Sequence, residues 1–132
     1  MSYALDASAL MAYLEKEPGY LEVHDVFVDA AEFDRKILMN IVNWGEVYYI
    51  LMRDYGMEKA EAIAKIVDTF PIQIIPPNHA ITRQAAIYKT FKKLPYMDSH
   101  AAAFAKIHKA TLLTADREFS AVSREIKIIW VK

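Results

Sequence analysis

The chain has 132 residues, 55% of them hydrophobic and 25% charged, and contains no cysteine. At about 100–200 residues per domain this is one domain, too hydrophobic for disorder, and thiol chemistry, Cys-ligated zinc and disulfides are excluded. The formal net charge is −1, yet residues 1–68 carry 13 acidic against 6 basic side chains (−7) and residues 69–132 carry 4 against 10 (+6). Such a split hints at a charged partner, although a mixed solvated surface produces it too.

The first basic residue is Lys16, and Asp6 interrupts the N-terminal segment, so no secretory leader is expected and a cytoplasmic location is. Ser2–Leu5 reads as a short strand, followed by a helix with Ser8 as its cap and Leu10, Tyr13 and Leu14 at helical spacing, ended by Pro18 and Gly19. A second helix is expected over 20–34, burying Val23, Phe27 and Ala30. Ile37–Val42 is a short apolar run, as a strand covered on both faces would be. Asn43 then caps a helix with the stripe Trp44, Val47, Tyr48 and Leu51 and Gly56 as its stop, and another helix carries Ala60, Ile63, Ala64 and Val67. The longest run free of Asp, Glu, Lys and Arg follows, Thr69–Thr82, 14 residues. That is short of the roughly 20 apolar residues of a spanning helix, so no membrane partner is expected.

Ile72–Ile75 is a brief extended stretch, Pro76 and Pro77 turn the chain, and Asn78 caps a helix to about Phe91. Residues 92–97 form a loop around Pro95, and Asp98 opens an alanine-rich helix to about His108. Thr111–Thr114 and Ile126–Val131 are the remaining strands. Strands alternating with helices, without internal repeats, predict a single α/β domain over 1–132 with a mainly parallel sheet.

Parallel strands joined by right-handed crossovers bring their C-terminal ends to one edge, where α/β sheets keep their sites. Asp6 ends the first strand, Glu46 falls in the first turn of the helix after the second, Asp98 opens a helix, and Asp116 follows Thr111–Thr114. A helix over 98–109 rises roughly 18 Å and the five residues Ala110–Thr114 return roughly 16 Å, so Asp98 and Asp116 should meet. Unit charges 4 Å apart repel by about 4 kcal/mol at an effective dielectric near 20, so a four-carboxylate pocket calls for cations. Oxygen ligands with open positions suit Mg2+ or Mn2+, which polarise phosphate and acidify a bound water. The chemistry this predicts is phosphodiester hydrolysis. Local roles compete with it: Glu46 stands three residues after Asn43, the spacing of a capping box, and Asp98 and Asp116 suit caps or turns. Asp6 alone has no evident local task.

His24, His79, His100 and His108 show no ligand spacing, and Gly19, Gly45 and Gly56 cannot build a phosphate-binding loop. Trp44, Tyr48 and Tyr55 are expected in the core or on a dimer surface rather than as stacking platforms.

Four segments carry a family likeness: Leu5-Asp6-Ala7-Ser8-Ala9-Leu10, Asn43-Trp44-Gly45-Glu46-Val47, Met97-Asp98-Ser99-His100-Ala101-Ala102, and Leu112-Leu113-Thr114-Ala115-Asp116-Arg117-Glu118-Phe119. In them the sequence resembles the PIN-domain family, and more narrowly the VapC-type toxins of bacterial and archaeal toxin–antitoxin pairs. The resemblance spans the chain and implies a three-layer α/β/α PIN-like fold and metal-dependent endoribonuclease activity with Mg2+ or Mn2+. By it, Asp6, Glu46, Asp98 and Asp116 are the catalytic, metal-binding acids, with Ser8 and Thr114 supporting them by hydrogen bonding. His100 departs from the small residue expected there, and residues 92–97 are more basic and aromatic than the family's usual approach to that Asp.

Arg83, Lys89, Lys92 and Lys93, in the basic half beside Asp98, are expected to position the RNA. The resemblance also implies an antitoxin; an acidic pocket is most simply blocked by an inserted arginine. Apolar surface of the first two helices and of Trp44–Tyr55 would supply the rest, and some of it can serve a homodimer. A PIN-like module without catalysis and a housekeeping RNA-processing nuclease are the alternative readings.

Overall fold

Five short strands, β1 (Tyr3–Leu5), β2 (Ile37–Asn40), β3 (Ile72–Ile75), β4 (Thr111–Thr114) and β5 (Ile128–Trp130), form the sheet of the computed structural model, which describes residues 2–132. All pairings are parallel, in the order β3-β2-β1-β4-β5. Six helices connect them, α1 (Ala7–Leu14), α2 (Tyr20–Phe33), α3 (Ile41–Tyr55), α4 (Met57–Val67), α5 (His79–Lys92) and α6 (Tyr96–His108), with a 3-10 helix over Arg117–Val122.

Every residue of β1, β2 and β4 is buried, as strands covered on both faces require. Successive side chains point to opposite faces. Tyr3, Leu5, Ile37, Met39 and Leu113 therefore join Val23, Phe27, Val47 and Leu51 in a core beneath α1–α4. Ala4, Leu38 and Leu112 join Ile81, Ala85, Phe104 and Phe119 beneath α5, α6 and the 3-10 helix. The result is the expected three-layer α/β/α sandwich, and the charge split follows its layers. The −7 half of the chain supplies α1–α4 and the +6 half supplies α5, α6 and the 3-10 helix. Among the described residues no helix is long and apolar enough to cross a membrane.

The strands and helices stand where periodicity places them, but several ends move. Asp6, not Ser8, caps α1: its Oδ1 accepts from the Ala9 N–H at 2.8 Å. Strand β2 stops at Asn40 rather than Val42, because the Asn40 side chain accepts from the Val42 N–H at 3.0 Å and opens α3 there. Asn43 thus lies inside the helix, Glu46 falls in its second turn rather than its first, and the capping-box role for Glu46 is removed. Helix α6 starts at Tyr96 after Pro95, so Asp98 occupies its first turn instead of capping it. Asn78 caps α5 as expected, accepting from the Ile81 N–H at 2.9 Å. The last strand spans only Ile128–Trp130. The 3-10 helix has no counterpart among the expected elements, being too short for a periodic apolar pattern.

Candidate active site

Asp6 sits where β1 runs directly into α1, and it is 3% exposed. The parallel pairing Leu5↔Leu113 brings Thr114 alongside. The Thr114 hydroxyl donates to Asp6 Oδ2 at 2.6 Å, and the Ser8 hydroxyl lies 2.9 Å from both carboxylate oxygens. Ser8 Oγ in turn accepts from the Ala115 N–H and Thr114 Oγ1 from the Asp116 N–H, both at 3.0 Å. Each hydroxyl hydrogen is committed to Asp6, so the 3.2 Å approach of the two hydroxyl oxygens is a contact between acceptors. Burial nevertheless outweighs these hydrogen bonds and, helped by the charge of Asp116, raises the Asp6 pKa to about 6.

Asp116 follows β4 and caps the 3-10 helix, its Oδ1 accepting from the Glu118 N–H at 2.9 Å. Asp98 projects from the first turn of α6, a helix with no side-chain cap. One carboxylate oxygen from each of Asp98, Asp116 and Glu118 lies within 4.8 Å of the others. Burial pushes the Asp98 pKa up to about 8, with a hydrogen bond to Asp116 and the charges of Asp116, Asp6 and Glu46 adding to it. Glu46 reaches the same place from α3; burial and Asp116 raise its pKa while Asn43 lowers it. Asn43 Nδ2 also donates to the Met97 carbonyl at 3.0 Å, tying α3 to the start of α6.

Asp6, Ser8, Glu46, Asp98 and Asp116 line one cavity of about 360 Å3, with Glu15, Glu17, Arg53 and Asp54 on its rim. The four acids expected at one sheet edge share it, and Thr114 lies behind Asp6. Glu118, Glu15, Glu17 and Asp54 are additions. Glu118 is placed by the unexpected 3-10 turn, so no sequence signal singles it out beyond its position two residues after Asp116.

Two local roles also exchange places. Asp6, without an evident local task in the sequence, is a helix cap, while Asp98, a cap candidate, caps nothing. Arg83, Lys89, Lys92 and Lys93 are exposed along α5 and its C-cap, none of them lines this cavity, and Lys92 pairs with Glu125 at 3.5 Å. His100 is buried edge-on against Tyr96 and lines no part of the cavity. Trp44 stacks on Tyr48, partly buried against the core, while Tyr55 is exposed.

The donors facing the cavity are carboxylate oxygens, the chemistry that suits hard divalent cations with open water positions. A second, larger groove of about 650 Å3 runs between α1, α2, α3 and α4, lined by Tyr13, Tyr20, Leu51 and Phe70 among others, and it shares Glu15 with the acidic cavity.

A family model described as PIN domain matches residues 3–125. No curated protein matches the sequence. Similar solved structures include the DNA-bound VapBC complex of Salmonella typhimurium, with a TM-score of 0.77 and 15% identity over 100% of this chain and 99% of that one. VapBC-1 of nontypeable Haemophilus influenzae gives 0.76 and 16% identity, covering 99% and 98%. A Mycobacterium tuberculosis VapC toxin that cleaves the sarcin–ricin loop gives 0.65 and 18% identity, covering 92% and 95%. At such identities the likeness is one of fold.

Proposed function

The chain belongs to the PIN domain family, and from that premise we propose that it is a metal-dependent endoribonuclease, the toxin of a toxin–antitoxin pair. The observation that carries this reading is the convergence of Asp6, Glu46, Asp98 and Asp116, from four separate elements, on one cavity at the C-terminal edge of a parallel sheet. These residues, with Glu118 beside them, would hold Mg2+ or Mn2+. A divalent cation there supplies charge neutralisation for the phosphodiester and acidifies water. Ser8 and Thr114 hold the Asp6 carboxylate in one orientation. Water adds to phosphorus and the P–O3′ bond breaks, leaving a 5′-phosphate and a 3′-hydroxyl. The exposed α5 cations Arg83, Lys89, Lys92 and Lys93 attract the RNA backbone from outside the cavity.

Single-stranded RNA incubated with the protein tests this reading. Cleavage in Mn2+, its loss in excess EDTA, and 5′-phosphate ends are expected, with Lys92→Glu/Lys93→Glu slower only at subsaturating RNA. Ends carrying 2′,3′-cyclic phosphate, or activity that survives EDTA, would overturn the mechanism. No cleavage in any divalent metal would favour a non-catalytic module.

An antitoxin partner is supported by the likeness to toxin–antitoxin complexes and by the groove adjoining the acidic cavity. Its walls come from the first two helices, from Leu51 and Tyr55, and from Ile63, Ile66 and Phe70, surface of the kind an apolar partner segment covers, whereas Trp44 lies outside it. A following arginine would reach the carboxylates past Glu15. Co-expression with the neighbouring gene product should restore growth and yield a stable complex inactive on RNA. If the protein alone is harmless and no neighbour binds it, the toxin assignment fails.

A further inference from the structure

Among the described residues the acidic cavity is lined by seven carboxylates, Asp6, Glu15, Glu17, Glu46, Asp54, Asp98 and Asp116, and by a single cation, Arg53. Carboxylates are acceptors only, so they give an RNA phosphate nothing to bind except through cations. Arg53 is the side chain that can supply donors directly, in the fork geometry that matches phosphate oxygens. It stands with Glu46 and Ile50 at i, i+4 and i+7 on one face of α3, and all three line the cavity. Seven residues along the helix separate its backbone from that of Glu46 by about 10 Å, so a guanidinium on the same cavity wall can meet a phosphate next to the one held over the four acids.

Its present partners are exposed. Nε donates to Asp54 Oδ1 at 2.9 Å and Nη2 to Asp54 Oδ2 at 3.4 Å, a pair in which the Arg53 side chain is 55% and the Asp54 side chain 41% exposed, and the guanidinium lies over the Tyr49 ring at 5.6 Å. An exposed ion pair between adjacent residues is easily exchanged for a phosphate.

We propose that Arg53 is a positioning residue that grips an RNA phosphate next to the scissile one and so sets which bond lies over the four acids. This rests on the nuclease reading, and its test separates the two. Cleavage of a short single-stranded RNA in Mn2+ is measured for wild type, Arg53→Ala, Arg53→Lys and Lys65→Ala; Lys65, exposed on α4, carries the same charge and lies off the cavity. Binding of the same RNA is measured by fluorescence anisotropy for Arg53→Ala and its parent, both in an Asp98→Asn background.

Losing a charge-assisted hydrogen bond should raise KM and Kd about tenfold in Arg53→Ala. A change in kcat under about twofold, partial recovery in Arg53→Lys and no effect in Lys65→Ala complete the expected pattern. Arg53→Ala indistinguishable from Lys65→Ala, or a fall in kcat at unchanged KM, would overturn the proposal. Should wild type cleave nothing, the nuclease reading fails alone, and anisotropy still reports whether Arg53 holds RNA.

Discussion

Asp98 occupies the first turn of α6, where the helix dipole favours a negative charge, yet burial and the carboxylates around it raise its pKa to about 8. Asp6, almost fully buried, is raised to about 6. Both values lie above the 3.8 of a free aspartate, so between these limits the native protein holds protons that the unfolded chain has released. Their contribution to metal-free stability therefore falls as pH rises from about 4 to about 8, first as Asp6 ionises and then as Asp98 does. Below that window neither group carries a penalty, and above it the penalty is complete. Asp98→Asn removes the second part. In EDTA it should match wild type near pH 4 and exceed it at pH 8 by on the order of 2 kcal/mol, allowing for water in the open cavity. Thermal melts across that range measure this. A mutant less stable than wild type at pH 8 would make Asp98 a structural residue.

At the scale of elements, the long helices read directly from spacing because one face of each is buried. Val23, Phe27 and Ala30 all reach the core of α2, and Val47 and Leu51 that of α3. The meeting of Asp98 and Asp116 is legible for a similar reason, since a helix rise followed by a strand return depends only on residue counts. Helix starts are less legible because competing cap residues stand close together. Asp6 and Ser8, or Asn40 and Asn43, are chemically equivalent candidates, and where the strand stops hydrogen bonding decides between them. That choice moves Glu46 by nearly a turn relative to the helix start and removes its capping-box role. The rim acids are illegible for another reason: Glu15 and Glu17 close α1, and Asp54 sits near the end of α3, positions that read as ordinary solvated helix ends. Gly19, with φ +98°, shows a constraint of the same hidden kind. A Cβ there would overlap the Val131 carbonyl, a contact between the α1–α2 turn and the residue after β5 that no local pattern announces.

Across the whole molecule, the uneven charge becomes a layered one, with the acidic helices α1–α4 on one side of the sheet and the basic layer of α5, α6 and the 3-10 helix on the other. On the proposed reading RNA would be attracted by the basic layer and a basic antitoxin segment by the acidic one. The carboxylate cavity is drawn from both layers, Asp6 and Glu46 from one side and Asp98 and Asp116 from the other, so an ion bound there would join the two halves of the fold. Calorimetric titration of wild type and Asp98→Asn with Mn2+ at pH 7, in buffers of different ionisation enthalpy, tests the central claim most directly. Saturable binding to wild type with release of a proton is expected, because Asp98 is largely protonated at that pH, and Asp98→Asn should bind at least about tenfold more weakly without that release. No saturable binding to wild type, or equal affinity and proton release in the mutant, would contradict a metal site built on these four acids.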